Sequence, residues 1–157
     1  MNKTRQYFIG AFAGTVASLF HTAVMLMLHR VLPRARREPV PPKEIASAVF
    51  EKTGKGSAKS GELTVATVAG HFGYGAVTGA LYAPIAEFTQ HKSIAAGIAY
   101  GVGVWTVSYL GWIPAMRLLT PATEQPAQRN VMMILAHIAW GASLAITFEK
   151  AKRAQRR

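Results

Sequence analysis

Cysteine is absent from the 157-residue chain, so disulfides, thiol catalysis and thiolate metal sites are excluded. Aspartate is absent as well. The seven acidic residues are Glu38, Glu44, Glu51, Glu62, Glu87, Glu124 and Glu149, all outside or at the edge of the apolar runs. Paired-carboxylate chemistry therefore has no core to act in, and the chain is not expected to be an enzyme. Charge of either sign is sparse: 16% of residues are charged, whereas 50% are hydrophobic. The charges crowd into the termini and residues 30–62, leaving apolar stretches too long for a water-soluble domain of this size to bury.

What is present reads as an all-α integral membrane protein. A helix needs about 20 mainly apolar residues to cross a hydrocarbon core about 30 Å thick. Four windows satisfy this, at about residues 7–32, 63–86, 94–116 and 131–148, and they predict a four-helix bundle. The first window is too long for a signal peptide. The basic cluster from Arg30 through Arg37 follows it like a stop signal, so it reads as a retained span.

Residues 43–62 hold a short surface helix and a linker. Ile45, Ala46, Val49 and Phe50 share one face of Lys43–Lys52, which predicts an amphipathic helix lying in the membrane interface. The segment Gly54-Lys55-Gly56-Ser57-Ala58-Lys59-Ser60-Gly61 reads as a flexible linker rather than a phosphate loop. Ala58 stands where the glycine before the lysine is needed, and no apolar strand precedes it. The loop Glu87–Ser93 is short enough to make spans two and three a hairpin, and residues 149–157 form a basic tail.

The net charge of +11 reads as lipid anchoring. Basic residues flanking apolar helices meet anionic headgroups, so the bilayer is the expected partner and nucleic acid is not. Orientation stays open. With the N-terminus cytoplasmic, eight basic residues lie inside and ten outside, which the positive-inside rule does not separate.

Small residues recur at four-residue spacing: Gly10 and Gly14, Gly75 and Gly79, Gly97 and Gly101, and Ala139 with Ser143. Close backbone approach holds helices together in lipid, so these stripes predict the packing faces, with a homo-oligomer or a membrane partner subunit as the sharper alternative. Trp105, Tyr109 and Trp112 are expected to form an aromatic belt at the interface, with aromatic ligand binding as the alternative use.

The ionisable side chains well inside the spans are His21, His71 and His137, and such residues are costly in hydrocarbon. His71 and His137 fall roughly 10 Å and His21 roughly 16 Å below the same surface, by rise per residue. Tyr74 lies one turn from His71 on the same face. The four residues form the candidate polar or ligand cluster. Three uses fit it: interhelical hydrogen bonding, a transition metal or haem, and the handling of protons, a quinone or a small solute. No cofactor is required by the sequence. His29 and His91 are expected near the surface and solvated.

Pro41-Pro42-Lys43-Glu44, His71-Phe72-Gly73-Tyr74-Gly75, Leu119-Thr120-Pro121 with Pro126, and Arg129-Asn130 leading to Ala136-His137-Ile138-Ala139-Trp140-Gly141 follow one another along the chain. Their order resembles the YagU-like family of uncharacterised bacterial inner-membrane proteins. It implies a multi-pass inner-membrane protein and brings no catalytic residues. The expected role is a structural or accessory subunit of a membrane assembly. The alternative is a binding or transport module built on the intramembrane histidines.

Overall fold

A computed structural model describes residues 2–32, 38–54, 59–89 and 93–155. Among these every regular element is a helix. The helices are α1 (Lys3–Val31), α2 (Pro41–Lys52), α3 (Ser60–Phe88), α4 (Ser93–Val107) and α5 (Ala127–Ala154). The basic run at 33–37, the middle of the linker, His91 and the last two arginines lie outside the described residues.

Local chemistry sets the helix ends. The Asn2 side chain accepts a hydrogen bond from the Thr4 amide and caps α1. Pro41 and Pro42 occupy the first turn of α2, where a missing N–H costs nothing. The surface helix therefore begins two residues before the expected Lys43. Helices α3 and α5 overrun their apolar windows at both ends, and α1 at its start, because residues such as Lys3, Glu62, Arg129 and Lys152 continue the helix beyond the apolar run.

By length and composition, three helices suit a membrane crossing: Lys3–Val31, Ile94–Ala115 (α4 with its C-terminal continuation) and Ala127–Ala154. The helix α3 is 29 residues long but misses that group. Its glycines, threonines, tyrosines and His71 dilute its apolar content.

Helix α4 does not end cleanly. Ser108–Trp112 is a π-helical segment in which the Ile113 amide donates to the Ser108 carbonyl, five residues back, and Gly111 takes a non-helical conformation at φ −113°, ψ −106°. Pro114 explains the fault, because it has no N–H to offer the carbonyl of Leu110 and its ring crowds that group. One more turn, Ile113–Ala115, completes the span, and Arg117 at φ 52° turns the chain away.

The long helices alternate in direction. Gln6 of α1 bonds Glu87 at the end of α3, while Thr22 farther along α1 reaches His71 near the start of α3. Two glycine seams set the spacing. A Cβ on Gly79 would lie 2.6 Å from the Gly14 Cα, and one on Gly10 would collide with the Gly79 carbonyl, so α1 and α3 touch backbone to backbone. In the second seam Gly97 and Gly101 of α4 meet Gly141 and the His137 carbonyl of α5. The α5 side of that seam is Gly141, not the expected Ala139 and Ser143, which are only partly buried.

Helix α1 also packs along α5, giving the order α3, α1, α5, α4. By contrast, α3 and α4 meet only sparsely, and a chamber opens there.

Candidate functional site: a histidine-walled chamber

Chain direction and helical depth bring His21, His71 and His137 into one layer. The His21 and His137 rings pack edge to face with centroids 4.6 Å apart, and His71 lies 5.0 Å from His21. His21 and His137 are buried, and His71 is partly so.

The hydrogen bonds fix the neutral tautomers. His137 Nδ1 lies 2.8 Å from the Met133 carbonyl, which only accepts, so that nitrogen carries hydrogen. His21 Nε2 is 3.3 Å from the same Nδ1 and must therefore be the bare, accepting nitrogen. The His21 hydrogen then sits on Nδ1, a buried atom with no partner among the described residues. Thr22 donates to the Ser18 carbonyl at 2.8 Å, so its lone pairs accept from His71 Nε2–H at 3.0 Å.

A second polar group joins α3 to α4. The Tyr74 hydroxyl lies 2.8 Å from Ser108 Oγ, and the Tyr100 hydroxyl donates to the Thr78 carbonyl at 2.6 Å. Between Tyr74 and Ser108 there are two hydroxyl hydrogens and one mutual bond. The remaining hydrogen finds no acceptor among the described residues.

Between these groups lies a chamber of about 450 Å³, within the usual range for a small-molecule site. His21, His71, His137, Tyr74 and Ser108 all line it, and among the described residues no Asp, Glu, Lys or Arg does. Its aromatic wall comes from Tyr109, Trp112 and Trp140. Tyr109 is buried and Trp105 stacks on it at 6.1 Å, so these side chains turn inward rather than forming an outward belt.

Helix α2 roofs the chamber with Ile45, Ala46, Val49 and Phe50, the face expected to lie on lipid. Arg129 at the start of α5 anchors this roof. It bonds Glu44 of α2 through both terminal nitrogens and Glu38 at 2.5 Å, while Glu38 also accepts from His29 Nε2 through its carbonyl at 2.8 Å. His29 is thus tied to the α2 approach rather than simply solvated. Sequence reasoning missed both this clasp and Ser108.

The cluster does not fit a metal or haem. Among the described residues no group of three or more His, Cys, Asp or Glu side chains is disposed to hold a metal ion. The mutual contact of the His21 and His137 rings leaves no room for a macrocycle between them.

No curated protein and no solved structure matches the chain. A family model described as "Protein of unknown function (DUF1440)" matches residues 33–146, a segment that runs from the approach to the roof through the chamber's last wall. The chain, with its three membrane-length apolar helices and its chamber, belongs to that family.

Proposed function

We propose that this protein is a four-span bacterial inner-membrane protein that binds a small, neutral, mainly apolar molecule in the chamber between α3 and α4. One observation carries this reading: a cavity of about 450 Å³ lined by three histidines and aromatic rings, without a charged side chain among the described residues. A bundle held together only by its seams has no use for such a space, since close packing would fill it.

Helix α3 is the fourth span in this reading. It matches α1 in length and is locked to α1 along the Gly14–Gly79 seam, so its glycine stripe and Thr78 face protein rather than lipid. Phe8, Phe12, Leu19 and Phe20 of α1 are exposed and supply apolar surface for lipid to cover, while the basic flanks meet anionic headgroups. The role of a structural or accessory subunit, with a second copy or another protein on the glycine stripes, draws less support. Those stripes are already occupied within the chain.

Saturable binding tests the proposal. The purified chain in mild detergent should bind a neutral, environment-sensitive apolar fluorophore with a stoichiometry near one. Gly70 lines the chamber, and a Cβ there meets nothing within 4 Å, so Gly70→Phe adds bulk without a backbone clash. That variant should fold and lose the binding. Unsaturable uptake, or uptake indifferent to Gly70→Phe, would overturn the reading.

A further inference from the structure

The polar lining of the chamber is mixed: its tautomers leave His71 Nδ1 and His137 Nε2 bare, while the Tyr74–Ser108 pair keeps a hydroxyl hydrogen to spare. Such a lining singles out no ligand class. What the structure does single out, given the binding role just proposed, is the element that must move for a molecule to reach the chamber.

The long helices around the chamber resist parting. Helix α1 meets α3, and α4 meets α5, glycine backbone against backbone, and each pair separates only if a whole helix slides. Between α3 and α4 the Tyr74–Ser108 bond and the Tyr100 hydroxyl on the Thr78 carbonyl bridge the gap.

Helix α2 is held differently. Its 12 residues are too few to cross a bilayer, and Pro41 and Ala46 are the residues in it that are buried. Val49 lines the chamber and is still 43% exposed. An element with so few buried contacts is the part of a fold that opens first. Between described residues, the side-chain hydrogen bonds joining α2 to the rest of the bundle are those of Glu44 to Arg129. Arg129 also holds Glu38 on the approach to α2. Ile45 and Ala46 follow Glu44 directly in the same rigid helix, so neither can leave the chamber while Glu44 stays on Arg129.

We infer that α2 is the door of the chamber and that the Arg129–Glu44 ion pair, backed by Glu38, is its latch: an apolar molecule enters and leaves at the α2 end of the bundle when the latch breaks. The long helices stay in place. Loosening the latch raises the open fraction with and without a ligand inside, so entry and release accelerate together and the equilibrium affinity holds. Losing a wall contact would instead raise release alone.

Stopped-flow fluorescence tests this on the full chain in mild detergent, with N-phenyl-1-naphthylamine as the neutral apolar probe. Entry is read from the concentration dependence of the rate and release from rapid dilution. Arg129→Gln should raise both rate constants at least about tenfold, with Kd changed less than about threefold. Glu44→Gln, which leaves Arg129 its Glu38 partner, should act in the same direction if the first variant folds poorly. Tyr100→Phe removes an α3–α4 bridge at a residue outside the lining and should leave both rates within about twofold. A tether gives the opposite perturbation. In this cysteine-free chain, Glu44→Cys with Arg129→Cys, joined by a bis-methanethiosulfonate after loading, should retain the probe on dilution until dithiothreitol cuts the link.

Saturable binding whose rates ignore both the latch variants and the tether would overturn the door while leaving the chamber as a binding site. So would acceleration of release alone, or acceleration by Tyr100→Phe in place of Arg129→Gln. Absence of saturable binding in the native chain would overturn the door and the binding role together.

Discussion

Replacing Arg129 with Gln should release the roof of the chamber while leaving the rest of the helical assembly in place. The side chain is 9% exposed and holds two carboxylates, Glu44 at 25% and Glu38 at 52% exposure. Breaking a fully buried ion pair by removing one partner costs about 3–5 kcal/mol. Here the carboxylates are partly solvated and recover water when released, so the figure falls to about 2 kcal/mol, nearly all of it from the Glu44 arm.

That loss falls on α2, because both carboxylates belong to α2 or the segment leading into it. Hydrogen exchange in nanodiscs should show amides across residues 46–52 exchanging about 30-fold faster, the factor that about 2 kcal/mol represents. Amides of α1 and α5 around the histidine layer should change by less than about twofold. A double-mutant cycle between Arg129→Gln and Glu44→Gln should return a coupling of about 1–2 kcal/mol, whereas Glu38→Gln should contribute under about 1 kcal/mol. Unchanged α2 protection, or equal loosening of every helix, would refute the idea that this one guanidinium fastens the roof.

Three further outcomes are expected. Gly79→Leu pushes a branched side chain into the Gly14 backbone and should lower resistance to denaturation by SDS through overpacking, by about 3 kcal/mol. Gly103→Ala, where a Cβ meets open space, should be neutral or stabilising by about 0.5–1 kcal/mol in the same assay. The native chain has no cysteine, so Gly54→Cys and Gln155→Cys report topology cleanly. If α3 crosses the membrane, an impermeant reagent applied to intact cells labels one site and not the other. If α3 does not cross, the two sites behave alike.

The parts of the molecule that depend on counting along a single helix were legible in the sequence. Apolar length located the four long helices, three of which suit a membrane crossing, and rise per residue grouped His21, His71 and His137, because depth in a straight helix is simple multiplication. Features that depend on which helix ends meet were not. Arg129 lies 85 residues from Glu44 and 91 from Glu38, and no local pattern links them. A spacing-of-four rule chose Ala139 and Ser143, yet the partner helix offers its glycines to a single Gly141, flanked by the His137 carbonyl and Ala145. Trp105, Tyr109 and Trp112 look like an interfacial belt by depth alone, and depth does not tell that their face packs against Met132, Met133 and Ala136.

The widened turn at Ser108–Trp112 also bears on how this protein would tolerate change. The Ile113 amide reaches a carbonyl five residues back, where a regular turn reaches four, so this turn holds one residue more than an α-turn needs. Taking one residue out lets it close to a regular turn, and everything after it keeps its direction. One residue taken from the regular helix α5 ahead of His137 finds no such slack and would swing His137 and Trp140 about 100° away from the chamber they line. Composition would score the two deletions alike, yet only the second would erase the interior.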